Sequence, residues 1–430
     1  MVQAKRKGFK ATKIYPWVVI ICGALFYCYQ FIILVSPGVM QDDVMAMLAI
    51  DGTTFGFIVG FYYWGYSGMQ LPLGIALDKL GPRYLLSLAS LVCALSTYIF
   101  GLAKNVPIAI IARFFMGVGA SCGFIGTLKL GTLWFPPHRF GTAMGIAYVF
   151  GTLGAAIGGA PLSWHIQKFG WVKTFDHIAI AGVVIAFLIF FVTDNKGPYA
   201  DSEEEIDKQH IFSGMWRVIR TPQAWLFSII GALMYLPISI IGVAWGIPLL
   251  KAMYGADEAV VAPIIAAMFT GGAIGAPVFT TLSDYIGSRK KPLILGVILC
   301  TIIWFIVLYC KDIPIPLMYA LFFAGGFFYT TKSLTFASNI EIMPSEHSGI
   351  TLGFTNMIVM LTGVIGHPIV GRMLDYSADS DGRLGTGAER YIIDDYRFAL
   401  LIVPIGIMIC LALIAFLDET HPRHRMLRKY

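Results

Sequence analysis

Gly74-Ile75-Ala76-Leu77-Asp78-Lys79-Leu80-Gly81-Pro82-Arg83 lies between two long apolar runs. A looser copy, Asp284-Tyr285-Ile286-Gly287-Ser288-Arg289-Lys290-Lys291, lies between two others. Each copy has an Asp, a Gly three residues on and an Arg two further. The pairs Asp78/Asp284, Gly81/Gly287 and Arg83/Arg289 share one offset of 206. Three matches at one offset predict a chain built of two related halves. Glycine permits a tight turn. The carboxylate and basic groups can pair across helix ends and separate when the helices move, so Gly74, Asp78, Gly81, Arg83, Asp284, Gly287 and Arg289 are read as gating positions.

Working outward, the apolar runs recur along the whole chain. Of 430 residues, 57% are hydrophobic and 13% charged, against roughly 25% charged in soluble proteins. Runs near 20 residues are long enough to span a bilayer. Twelve spanning helices are expected, at 14–36, 54–74, 84–102, 108–134, 141–163 and 176–193, then 223–250, 258–282, 292–310, 315–342, 350–371 and 397–417. The halves are therefore 1–193 and 223–430. Between them, 194–222 reads as a polar linker with an amphipathic helix near Ile211-Phe212-Ser213-Gly214-Met215-Trp216-Arg217 on the membrane surface. The basic N-terminus is followed by no small-residue cleavage site, so the first run reads as a retained helix.

The net charge of +6 bears on topology and gives no reason to invoke nucleic acid. Lys and Arg number 19 on the side of the termini and 8 on the opposite side, which places both termini, and both Asp-Gly-Arg loops, in the cytoplasm. Short loops and the lack of N-x-[ST] sites in the opposite loops favour a bacterial inner membrane. The seven cysteines have no CxxC spacing and fall almost entirely inside apolar runs, which speaks against a disulfide framework or a metal site. No phosphate loop, nucleophile elbow or zinc-protease motif is present, so neither direct ATP coupling nor enzymatic activity is expected. No cofactor is expected.

The first loop resembles the loop between helices 2 and 3 of the major facilitator superfamily, G-x-x-x-D-[RK]-x-G-x-[RK], at Gly74, Asp78, Lys79, Gly81 and Arg83. The second copy departs from it at Thr280 and Tyr285. Arg113-Phe114-Phe115-Met116-Gly117-Val118-Gly119 resembles that family's R-x-x-x-G-x-G, and the glycine-rich, proline-ended fifth helix is also similar. The resemblance spans the chain and implies an all-α integral membrane protein of two pseudo-symmetric six-helix halves that moves a solute by alternating access. In that family the Arg113 position is tied to coupling or to holding helices together. A second repeat, Gly141, Gly145 and Gly158 against Gly349, Gly353 and Gly366, has an offset of 208 and predicts close helix packing. Related halves place a solute site at their interface near the midplane.

Ionisable residues inside a membrane are costly and mark function. Lys332 lies roughly 15 Å from the nearer helix end and Lys129 roughly 8 Å, so Lys129 can snorkel and Lys332 cannot. With Arg113, these are the candidate anion-binding cations. His367, which replaces Gly159 in the repeat, is the coupling candidate. Tyr29 and Gln30 in the first helix, with Tyr62, Tyr63 and Tyr66 in the second, need polar partners in hydrocarbon and suggest a wet cavity. Tyr235, Tyr329 and Asn356 contribute from the other half. Cations without a mid-helix carboxylate point to a small polar organic anion, an arrangement that resembles the oxalate/formate antiporter and monocarboxylate branches, although those branches carry an arginine in helix 8 that this chain lacks. The aromatic first two helices resemble the lysosomal dipeptide-transporter branch, so an amino acid or dipeptide is the second reading. A solute receptor that does not transport is the third. The partners expected are the solute and the bilayer, with the protein a monomer.

Overall fold

The computed structural model describes residues 14–199, 208–344 and 347–422. The side chains of Ile75, Asp78, Pro137, His138, Phe140 and residues 208–213 lie outside that description. With no water in hydrocarbon, backbone groups must be bonded within each segment, and long apolar runs accordingly fold as helices. Nine described helices are long and apolar enough to cross a membrane, and eleven when two bent pairs are each taken as one span. In chain order the spans are α1 (Tyr15–Val39), α2 (Gly52–Gly74), α3 (Lys79–Gly101), α4 (Val106–Trp134), α5 (Gly141–Ile157) and α6 (Trp171–Val192), then α7 (Pro222–Tyr254), α8 (Glu258–Ile286) and α9 (Lys290–Tyr309). Together with α11 (Ser348–Ser380) and α12 (Ile393–Ala415), these are the eleven, and α10 (315–342), whose pieces are individually too short to be counted among them, makes twelve among the described residues. The tenth is divided by the tight turn Tyr329–Lys332. An even number returns the chain to its starting face, called here the terminal face; the opposite face is the far face.

Several ends differ from expectation. A short helix, Gln41–Leu48, precedes α2 at a bend of 115°. The fifth span bends 43° between Ile157 and Ala160, where Gly158 and Gly159 precede Pro161 and prolyl geometry interrupts the helix. The eleventh runs to Ser380 rather than 371, because Asp375 and Asp379 are paired and do not terminate it. The linker helix spans Lys208–Ile219.

The glycine matches are packing devices. A Cβ on Gly65 would overlap the Phe114 carbonyl, and one on Gly117 the Tyr62 carbonyl, where α2 crosses α4. The same crossing recurs between α8 and α10, with Gly271 against Phe323 and Gly326 against Met268. Gly65 and Gly271 keep the 206 offset. Gly158 packs on Val35 of α1 and Gly366 on Ile240 of α7.

On the terminal face the two Asp-Gly-Arg loops each bond within their own half. Gly81 (φ 74°) and Gly287 (φ 71°) adopt the left-handed backbone that glycine tolerates. Asn195 accepts from the Arg83 N–H at 2.9 Å, and Arg83 Nε donates to the Phe190 carbonyl at 2.7 Å. Arg289 donates to Glu341 at 2.6 Å and to Asp284 at 2.7 Å. Glu419 accepts from Ser288 Oγ and from the N–H groups of Arg289, Lys290 and His421. The Asp78 side chain lies outside the described residues.

The far face is where the halves meet. Asp51 caps α2 by accepting from the Thr54 N–H at 2.9 Å. The two N–H groups that this cap leaves, Gly52 and Thr53, donate at 3.0 and 2.8 Å to Asp375 of α11. Thr53 Oγ1, Tyr391 and Arg390 add further bonds to the same carboxylate. A carboxylate at a helix N-terminus is favoured by orphan donors and the helix dipole. Lys251 of α7 pairs with Asp42 at 2.6 Å, and Ser163 donates to Glu258. Cβ atoms on Gly56 or Gly371 would overlap backbone of the opposite half. On the terminal face, by contrast, Gly74, Gly141, Gly145 and Gly349 have nothing within 4 Å of a built Cβ. The halves are closed on the far face and parted on the terminal one.

Two outcomes follow. Burial alone would raise the Glu419 carboxyl, but its four donors hold it below the ordinary carboxylate range. A depressed folded value contributes stability that is present above the unfolded pKa and lost as pH falls through it. Thermal unfolding should therefore show a drop in Tm as pH falls from about 5 to about 3 that is smaller in Glu419→Gln, whose Tm near neutrality is already lowered. An unchanged slope would remove this group from the acid sensitivity. Separately, Asp375→Ala should loosen the far-face closure. In a Cys310→Ser background, Phe55→Cys, buried against Trp245, should react with a thiol reagent about tenfold faster or more once Asp375 is truncated, since the Gly52 and Thr53 N–H groups lose their acceptor in the other half. Equal rates would show that the carboxylate does not hold the halves together.

Candidate functional site

A cavity of about 630 Å³ lies between the halves. Helical periodicity explains its walls, because residues at i, i+3, i+4 and i+7 share a face. Tyr27, Gln30, Phe31 and Leu34 form the α1 stripe. The α2 wall carries Tyr62, Tyr63, Tyr66 and Gln70 and continues through Gly74 and Leu77 toward the terminal face. Tyr235 comes from α7, Tyr329, Lys332, Ser333 and Phe336 from α10, and Asn356 from α11. Small residues at Gly151, Gly272, Ala273, Ala276, Gly349 and Gly353 leave the space open.

Lys332 closes the tight turn in α10. Thr330, Thr331 and Thr335 each bond the carbonyl three residues back, at 2.6, 3.0 and 2.7 Å. Such side-chain bonds compete with the helix ladder and tighten or bend it. A mid-helix tight turn of this kind often marks a functional site. Lys332 Nζ stands 4.2 Å from the centroid of Tyr235, with Tyr329 and Phe336 at 5.8 and 5.7 Å. Among the described residues no carboxylate is within ion-pair distance of it; Glu341 is engaged by Arg289. Among the described residues it is the one charged residue in the cavity wall.

The other expected cations are elsewhere. Arg113 is fully buried behind Tyr62, its guanidinium carbon 5.0 Å from that ring and Nη1 donating to the Ile33 carbonyl at 3.1 Å. Its Nε and Nη2 have no hydrogen-bond partner. Lys129 is half-buried on α4, outside the wall. Tyr29 is also outside: two residues from Tyr27, it faces the interior of its own half, where a Cβ on Gly182 would stand 2.5 Å from its hydroxyl.

Polar groups are unevenly satisfied. Asn356 donates to Gln70 at 2.9 Å, and Ser67 donates to the Met357 carbonyl at 3.0 Å, both across the halves. Among the described residues the hydroxyls of Tyr62 and Ser333 make no hydrogen bond, and the Tyr63 hydroxyl lies beside those of Ser239 and Tyr235. Gln30 Oε1 lies against Gly123, where a Cβ would overlap it. His367 sits outside the wall in the far-face seal, accepting at Nδ1 from Trp245 Nε1 at 3.1 Å, with Tyr63 at 5.4 Å.

The aromatic flank of Phe31, Phe124, Tyr148, Phe269 and Phe336 went unnoticed in the sequence, where a Phe in an apolar helix carries no mark. Phe31, four residues from Tyr27 on one helix face, was the accessible signal. A second cavity of about 680 Å³ opens on the far face beside Asp42, Asp43, Glu389 and Lys251. Its three carboxylates face one lysine already paired to Asp42 and Glu258, so it offers an anion no net attraction.

Comparisons with known proteins find related chains and a shared fold. Over 89% of its length the chain is 23% identical to the probable galactarate/D-glucarate transporter GudP of Escherichia coli, covering 92% of it. It is 25% identical, over 62% of its length and 64% of the relative, to the probable sulfoacetate transporter SauU of Cupriavidus necator. Among solved structures, the inward-facing, unoccupied bacterial homologue of the human lysosomal transporter Spinster superposes with a TM-score of 0.75 at 16% identity, over 94% of this chain and 97% of that one. One family model matches twice, at residues 19–237 and 227–428. The chain belongs to the Major Facilitator Superfamily.

Proposed function

We propose that this protein is a secondary transporter that carries a small polar organic anion by alternating access, with Lys332 as the group that neutralises the solute's charge. One observation carries the reading: among the described residues, the wall of the cavity between the halves holds a single cation and no carboxylate. A lysine without a counter-ion inside a membrane is costly, and an anionic solute supplies what the wall lacks. Tyr62, Tyr63, Tyr66, Gln30, Gln70 and Asn356 then serve the solute's polar body, with Tyr235 and Tyr329 beside the ammonium. The names of the relatives, acids of sugars and a sulfonated acetate, support an anion. A zwitterionic amino acid or dipeptide is the poorer reading, since its ammonium finds no carboxylate there.

The excess of Lys and Arg on the terminal face supports cytoplasmic termini in a bacterial inner membrane, so the cavity of this state is read as inward-open. The Asp-Gly-Arg loops, including Asp78 and Asp284, act as the cytoplasmic latch of the opposite state. Coupling is read as exchange, facilitated diffusion or a proton carried by the substrate, with His367 held in the far-face seal by Trp245. The functional unit is read as a monomer.

Counterflow in proteoliposomes tests this. Vesicles loaded with glucuronate, glucarate or sulfoacetate should accumulate at least one labelled acid against its gradient of label. A receptor would bind without counterflow. Lys332→Ala should abolish the signal, while Lys332→Arg should keep part of it, because charge survives and shape does not. Counterflow by Lys332→Ala at the wild-type rate would remove the lysine from solute binding.

A further inference from the structure

We infer that the far face carries a site for one borderline transition-metal ion, of the class of zinc, nickel or copper, held by His165 and His177. The site is separate from the solute cavity and does not depend on the organic-anion reading.

The two histidines meet across the turn between the bent end of the fifth span and α6. The helix Ala160–Phe169 stops at Gly170, whose φ of 80° is one that glycine tolerates, and α6 begins at Trp171. That reversal sets His165 Nε2 at 3.3 Å from His177 Nδ1. Two imidazole nitrogens bound to one tetrahedral ion at about 2.0–2.1 Å stand about 3.3 Å from each other as well. His165 is also oriented for the role. The Thr174 hydroxyl has one proton and donates it to the Gly170 carbonyl at 2.8 Å. Toward His165 Nδ1, 3.0 Å away, that oxygen can only accept. Nδ1 therefore carries the ring proton, and Nε2 presents its lone pair to His177. A ligating histidine typically has its other N–H held by an acceptor in this way, which fixes the tautomer and the ring. Without an ion the His177 Nδ1–H can donate to the same lone pair, so a proton and a metal ion compete for one place.

His165 is half-buried and His177 exposed, which leaves the remaining coordination positions to water. Among the described residues no third His, Cys, Asp or Glu completes the set. Two neutral imidazoles suit zinc, nickel and copper, whereas magnesium and calcium require oxygen ligands. Lys168, on the same short helix, opposes the charge of a bound ion and keeps the affinity moderate. Ser163, two residues before His165, donates to Glu258 of the other half. A bound ion would thus tie a segment of the far-face closure to α6.

Isothermal titration of the purified full-length protein, with any affinity tag removed, tests this with the chlorides of nickel, zinc and magnesium. One nickel ion should bind per protein, and magnesium should not bind. His177→Ala and His165→Gln should each weaken nickel at least tenfold. Because His177 is exposed, His177→Ala should keep the wild-type Tm in the absence of metal. Thr174→Val keeps the side-chain shape but removes the acceptor, and should weaken nickel about tenfold at unchanged stoichiometry. Nickel binding unchanged in His177→Ala and His165→Gln would put the ion elsewhere and overturn the assignment, as would failure of nickel and zinc to bind the wild type. Wild-type affinity in Thr174→Val would overturn the orienting role of the threonine. Magnesium binding as tight as nickel, and lost with the histidines, would overturn the choice of ion class.

Discussion

The bond between Asp375 and the N-terminus of α2 decides how this molecule is arranged. Every helix leaves orphan N–H groups in its first turn, and α2 has a capping residue of its own in Asp51 that takes only Thr54. The carboxylate that takes Gly52 and Thr53 comes from the other half of the chain. Arg390 and Tyr391 hold that carboxylate in place, and the glycines at 52, 56 and 371 let the backbones come close enough for it to reach. Closure of one face is thus written as helix capping between halves. It is also reversible in principle. Water can replace each bond when the halves part, so the cost of opening is a difference between hydrogen bonds and not the loss of all of them.

With that face shut, the cavity drains toward the terminal face, and the two buried cations acquire different characters. Arg113 is packed behind Tyr62 with one backbone acceptor and two unsatisfied donors. Lys332 is turned into the cavity by a tight turn that threonine hydroxyls help to shape. Its ammonium rests on Tyr235, a cation–π contact worth about 0.5–2 kcal/mol. Such a contact holds the charge in place yet leaves it short of a true counter-ion. On the proposed reading, the site attracts an anion and does not trap it as a permanent ion pair would.

Much of this was legible in the sequence, and the limits are physical. The 206 offset between the loop motifs reported two related halves, and the structure adds Gly65 and Gly271 at the same offset where helices cross. Depth along a helix separated Lys332 from Lys129, because length in residues converts directly to distance. Direction around a helix is equally physical. Tyr29 lies two residues from Tyr27 and so faces away from the stripe that Gln30 and Phe31 share with it, a separation that periodicity alone could have made. Arg113 could not be resolved that way, since which side of Tyr62 faces the cavity depends on packing between helices. Asp375 was missed because the eleventh helix was expected to end at residue 371. A carboxylate beyond that point reads as a solvated loop unless its partners in the other half, Gly52 and Thr53, 323 and 322 residues away, are known.

The central claim is that the charge on Lys332 selects the solute by its carboxylate. A thermodynamic cycle tests that pairing directly, with wild type and Lys332→Met as one axis and glucuronate and glucuronamide as the other, binding being measured for all four pairs. Coupling measured this way isolates the interaction between two groups. The account requires wild type to prefer the acid over the amide by about tenfold or more, equivalent to about 1.4 kcal/mol, and requires that preference to vanish in Lys332→Met. A preference of the same size in both proteins would contradict it, placing the charge recognition on another part of the cavity.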